Sequence, residues 1–155
     1  MGSRRKAREC AIQILYEMDL TGTHADEAVN SFRSSFNVPE SAFGFCLALV
    51  RGVQEHCAEI DALIKEHSEN WRLDRMSRVD RNILRLAVFE LLYCEDIPPK
   101  VSINEAVDLG KRFGTDESGA FINGILDAVF VNFSKTQKNG KKSGKSESDN
   151  LPNMN

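Results

Sequence analysis

The chain has 155 residues, enough for one domain that buries a core without disulfide or metal staples. With 41% hydrophobic and 28% charged residues it has the composition of a globular protein. It contains no apolar run of about 18 residues that could cross a bilayer. Its basic amino-terminal segment lacks the apolar stretch and cleavage site of a secretory signal, so a cytoplasmic protein is expected. The net charge of −3 is unevenly spread. Arg4, Arg5, Lys6 and Arg8 against Glu9 make residues 1–12 net +3, five lysines against Glu147 and Asp149 make 134–155 net +3, and 13–133 is left at −9. An acidic body with two basic ends implies local contact with a polyanion.

Residues 3–19 are predicted to form an amphipathic helix capped by Ser3, with Ala7, Cys10, Ala11, Ile14, Leu15 and Met18 on the buried stripe and Arg4, Arg5 and Arg8 off it. Thr21-Gly22 ends it. A second helix over 25–36 starts near Asp26 and buries Val29, Phe32 and Phe36, stopping at Asn37-Val38-Pro39. A long helix follows over 40–67, with Phe43, Leu47, Val50, Val53, Cys57, Ile60 and Ile64 in one stripe. Gly44, Ala48 and Gly52 share another face, which suggests that a helix packs closely there.

Residues 68–76 read as a connector anchored by Trp71, Leu73 and Met76. Ser77, with Asp80 three residues on, opens a strongly apolar and therefore central helix over 78–95, halted by Ile97-Pro98-Pro99. Ser102-Ile103-Asn104-Glu105 matches a capping box that opens a helix to Phe113. Thr115 or Asp116 caps a last helix over 117–132, with Phe121, Ile125, Leu126 and Val129 inward. No segment alternates with period two, so the expected fold is all-α. Residues 1–133 form the helical domain. Residues 134–155, almost without apolar content, read as a disordered basic and polar tail.

Catalytic patterns are missing. Cys10, Cys46, Cys57 and Cys94 form no CxxC pair and are expected as reduced structural thiols. His24, His56 and His67 have no metal-ligand spacing, and no phosphate-cradling glycine loop occurs, so neither metal nor cofactor is expected. His56 and Cys57 are neighbours on a helix and point about 100° apart, which is unsuited to a thiol–imidazole pair.

Two segments could bind nucleic acid. Arg4, Arg5, Lys6 and Arg8, followed two turns later by Tyr16, offer guanidinium forks for phosphate and a ring for base stacking. Phe113-Gly114-Thr115-Asp116-Glu117-Ser118-Gly119-Ala120-Phe121 joins two helices, with free N–H groups at a helix start and Gly119 to admit a ligand near the backbone. From the residues alone, the first reads more readily as a solvated charged face, and the second at least as well as an ordinary corner with both phenylalanines in the core.

Four ordered blocks settle on a family: R-R-K-A-R-E-C-A-I-Q-I-L-Y-E-M-D at 4–19, D-R-N-I-L-R-L-A-V-F-E-L-L-Y at 80–93, P-P-K-V-S-I-N-E-A-V-D-L-G-K-R-F-G at 98–114 and F-I-N-G-I-L-D at 121–127. Their sequence, order and spacing resemble the NusB family over about residues 3–131. The resemblance implies about seven helices in two small packed bundles and a non-enzymatic role in transcription antitermination. It implies binding of single-stranded boxA RNA with NusE, a small-subunit ribosomal protein, entry into the elongation complex with NusA and NusG on rRNA operons, and support of small-subunit rRNA maturation. It also implies an RNA face of Arg5, Arg8, Tyr16, Phe113, Glu117 and Phe121, with Arg4 and Lys6 adding charge, and a NusE-facing side at Asp80 and Arg81. Some members of the family self-associate, so a homodimer is among the implied states. The same fold also forms the N-terminal RNA-binding domain of certain rRNA cytosine methyltransferases, which gives the alternative of a stand-alone RNA-binding domain.

Overall fold

Apolar residues spaced three and four apart wind into helices along almost the whole chain. In a computed structural model, which describes residues 2–68 and 75–133, these are α1 (Gly2–Thr21), α2 (Ala25–Ser35), α3 (Glu40–Glu55), α4 (Cys57–Glu66), α5 (Arg78–Tyr93), α6 (Pro99–Phe113) and α7 (118–133). There is no strand among the described residues. The expected anchors Trp71 and Leu73 and the tail from residue 134 lie outside the described residues, whereas Met76 is buried.

α1 buries the expected stripe. Ser3 lies within its first turn rather than ahead of it. Gly22 adopts φ 74 and donates its N–H to the Met18 carbonyl at 2.7 Å, the left-handed closure that glycine makes without steric cost. α2 stops at Ser35, and the extended backbone at Phe36 (φ −131) swings that ring outward. Phe36 is thus 57% exposed instead of buried, and stacks on Phe32 with centroids 4.7 Å apart.

The stretch expected as one helix over 40–67 bends at His56 and becomes α3 and α4. Gly44 and Ala48 face solvent, so no helix packs there. At Gly52, by contrast, the Phe89 ring of α5 lies where a side chain would project: an added Cβ would come within 2.1 Å of it. α5 opens as predicted, with the Asp80 N–H donating to Ser77 Oγ at 3.0 Å, and buries Ile83, Leu84, Leu86, Ala87 and Val88. α6 begins four residues earlier than the capping-box pattern suggested. Proline at the first helical position needs no donor, so Pro98-Pro99 start the helix and Ser102 falls inside it. The corner into α7 is tied by Ser118, whose Oγ accepts the Thr115 N–H at 2.9 Å and whose N–H donates to the Thr115 carbonyl at 3.1 Å.

α1, α2 and α3 pack as one bundle and α4 and α6 pack about α5; α5 also lies on α1 and α3, so the two bundles share a single apolar core. α7 joins α6 at Gly110, where an added Cβ would meet Ile122 at 2.7 Å.

One polar group penetrates this core. Arg8, placed off the buried stripe by periodicity, is 3% exposed. Its Nε and Nη2 donate to the two carboxylate oxygens of Glu90 at 2.9 and 2.8 Å, and Ser102 Oγ donates to the same carboxylate at 2.9 Å. A fork-to-fork pair with a third donor is the arrangement in which a buried charge is tolerated, and it joins α1, α5 and α6.

Two stability predictions follow from this packing. Arg8→Ala and Glu90→Ala each strand a buried charge and should each cost about 3–5 kcal/mol in urea unfolding, while the joint apolar replacement Arg8→Met with Glu90→Leu should cost much less. Gly44→Ala should gain up to about 1 kcal/mol, whereas Gly52→Ala, which must displace Phe89, should destabilise.

Candidate nucleic-acid interface

The side-chain pairings place α6 alongside α1 in parallel. Arg5 donates to Glu105 from Nε at 3.2 Å and Nη2 at 3.0 Å, and reaches Asp108 at 3.4 Å. A turn further on, Arg112 pairs with Glu9, which also lies 4.0 Å from Lys6. Further still, Tyr16 of α1 and Phe113 at the end of α6 line one cleft of about 470 Å³ with Ile12, Gln13, Phe36 and Val79. The result is a seam, charged at one end and aromatic at the other. Arg5 and Tyr16 stand eleven residues apart on α1, or roughly 16 Å along its axis.

Of the predicted residues, Arg4, Arg5 and Lys6 are exposed at the charged end, and Arg4 donates to Asp96 at 2.8 Å while its guanidinium lies 5.2 Å from the Phe45 ring centroid. Tyr16 is 37% and Phe113 36% exposed, so neither ring is absorbed into the core. Glu117 and Phe121 line an adjoining depression of about 210 Å³ together with Met76, Ser77 and Asp80. Val79 and Asp80, consecutive at the start of α5, therefore border one recess each. Arg8 does not reach this surface, because Glu90 fills its fork inside the protein. Gly119 is buried too: its bare Cα faces the Lys111 stem on α6, at 3.3 Å from an added Cβ, so it serves helix packing rather than approach of a ligand.

Lys111 and Arg112 were not singled out from sequence. Both are exposed in the last turn of α6, Lys111 without an ion pair among the described residues and Arg112 with its guanidinium 5.3 Å from the Phe113 centroid. A signal was present: Glu105, Asp108 and Arg112 recur at helical spacing, complementary to Arg5 and Glu9.

The start of α5 is held by a second network. Asp19 at the end of α1 accepts from Arg81 at 2.5 Å and from Asn82 at 3.2 Å, while Arg85 grips Asp61 of α4 through two bonds of 2.8 and 2.9 Å. Arg81, expected on a partner-facing surface, is part-buried and held by Asp19. Asp80 faces its recess, and its Oδ1 is buried without a hydrogen-bond partner among the described residues. Burial raises the Asp19 carboxyl, but the bonds from Arg81 and Asn82 and the charges of Arg81 and Arg85 outweigh it and hold the group below its ordinary value.

The thiols are unsuited to nucleophilic work: burial pushes Cys46 up to about 12 and Cys94 to about 11. Beside Cys57, the His56 ring stacks on Tyr93 at 4.2 Å instead of meeting the sulfur. No cluster of metal-ligating side chains occurs, and no helix is long and apolar enough to cross a membrane, among the described residues.

The sequence matches the NusB family over residues 5–130. The transcription antitermination protein NusB of Desulfatibacillum aliphaticivorans is 51% identical, over 92% of this chain and 99% of that protein. That of Myxococcus xanthus is 54% identical, over 87% and 99%. A solved structure of antitermination factors NusB and NusE in complex with dsRNA aligns with TM-score 0.78 at 32% identity, covering 85% of this chain and 98% of that one.

The lowered Asp19 carboxyl sets an acid limit. Its contribution to stability should be complete above the ordinary carboxylate pKa of about 3.9 and be lost as pH falls below that toward the folded value. Urea unfolding between pH 7 and pH 3 should therefore show a smaller acid loss in Asp19→Asn than in the wild type.

Proposed function

Because the chain belongs to the NusB family, we propose that it acts in transcription antitermination by binding single-stranded boxA RNA together with the ribosomal protein NusE. The pair then joins the elongation complex with NusA and NusG on rRNA operons, and supports small-subunit rRNA maturation. The observation that carries the RNA reading is the shared cleft of Tyr16 and Phe113, two part-exposed rings from separate helices at the end of a seam that bears Arg4, Arg5, Lys6, Lys111 and Arg112.

Unpaired bases stack on such rings, and the cations along the seam neutralise the phosphates between them. In the adjoining recess, the Glu117 carboxylate accepts from base amino groups and Phe121 offers a second ring, so this end supplies sequence preference. Asp80, which lines this recess, suits a basic side chain of NusE. The role of Arg8 is to position α1 rather than to touch RNA. Nothing in this scheme makes or breaks a covalent bond; the protein works by assembly.

Fluorescence anisotropy should show tighter binding to boxA than to a scrambled oligonucleotide, more so with NusE present. Tyr16→Ala and Phe113→Ala should each weaken boxA binding by about 1–3 kcal/mol without lowering the melting temperature. Equal affinity for the two oligonucleotides in the wild type would contradict the reading. Asp80→Lys should weaken NusE binding in calorimetry and leave the fold intact.

A further inference from the structure

All the cations along the seam except Lys111 already face an acid. Arg5 carries three carboxylate oxygens on one guanidinium, two from Glu105 and one from Asp108. Glu9 holds Arg112 and lies near Lys6, and Asp96 holds Arg4. Each of these acids stands where a phosphate would have to go. Their contribution to folding is a weak explanation for their presence, since exposed ion pairs are worth about 0–1 kcal/mol. The Glu105 side chain is only 19% exposed, against 55% for Arg5, so the arginine is the partner more open to solvent and to an incoming phosphate.

We infer that Glu105 and Asp108 form an internal competitor for the RNA backbone: they fill the Arg5 fork, and RNA enters the seam by exchanging carboxylate for phosphate. The inference rests on the RNA reading of the seam and adds a regulator to it. Charge alone then gives little affinity, and binding depends on what the rings and the Glu117 corner recognise. The exchange leaves a thermodynamic mark. A phosphate that meets a free arginine releases its counterion, and for single strands each such contact adds about −0.7 to the slope of log K against log salt. A phosphate that displaces a carboxylate leaves an acid that recruits a cation, and the two effects nearly cancel. The wild-type slope should thus be shallower than its number of seam cations implies.

The test is a salt titration of binding to oligouridine, a single-stranded polyanion without the boxA sequence, alongside boxA itself. The variants are Glu105→Gln, Asp108→Asn and the double substitution, with Glu27→Gln on the exposed face of α2 as the control for the single variants and Glu27→Gln combined with Glu66→Gln, exposed on α4, as the control of equal charge change for the double. Asp108 is half exposed, so its variant tests the idea even if the Glu105 substitution disturbs packing, which thermal melts would reveal. The double variant should bind oligouridine on the order of tenfold more tightly at low salt, with a slope steeper by about 0.7, while the control changes neither. Unchanged affinity and slope, or weaker binding, in the double variant would overturn the inference. The RNA reading itself stands or falls separately, on whether the wild type prefers boxA to oligouridine.

Discussion

The geometry of this protein hangs on a single buried carboxylate. Glu90 on α5 takes both prongs of the Arg8 fork from α1 and the Ser102 hydroxyl from α6, so three helices from both bundles meet at one group. As a source of stability, such a pair is no better than well-packed apolar residues. Its effect is on register. Sliding α1 by one turn would leave Glu90 inside the core without its arginine, and that penalty selects one alignment. In that alignment Arg5 faces Glu105, Glu9 faces Arg112, and Tyr16 comes beside Phe113. An arginine expected to grip RNA instead sets the position of the residues proposed to do so.

The proposed binding surface follows from this alignment. α1 and α6 are joined across the seam by long charged side chains. Where the charges end, the seam opens into a cleft lined by rings. The Asp19 network fixes the start of α5 against the end of α1, which puts Val79 at the cleft and Asp80 in the recess with Glu117 and Phe121. The proposed RNA and NusE contacts thus lie next to one another, a physical basis for binding one in the presence of the other.

How far the sequence could be read depended on the range of the interactions. Local signals carried well: the Ser77 cap, the Gly22 closure and the core stripes of α1 and α5 each involve residues within a turn or two. The errors arose where a distant partner decided the outcome. Helical periodicity sorts side chains by polarity, and it cannot see that Arg8 meets an acid 82 positions away. Ser102-x-x-Glu105 has the letters of a capping box, but two prolines upstream started the helix first and released the serine hydroxyl for Glu90. Gly44 and Gly52 look alike in sequence; only the location of Phe89 separates the solvent-facing one from the packed one. The bend at His56 carries no proline or glycine to announce it. In the candidate site, Tyr16 and Phe113 were named from sequence, while Lys111 and Arg112 emerged only when α6 was laid beside α1.

The central claim is that the α1–α6 seam and its aromatic cleft form one continuous surface for an unpaired RNA strand. A residue-resolved NMR titration of the full chain with boxA RNA tests it most directly. The account predicts that the largest shifts cluster on Arg5, Glu9, Gln13, Tyr16, Lys111, Phe113 and Glu117, with His56 and Tyr93 unaffected. Shifts concentrated around His56, Glu59 and Tyr93, with the seam silent, would contradict it.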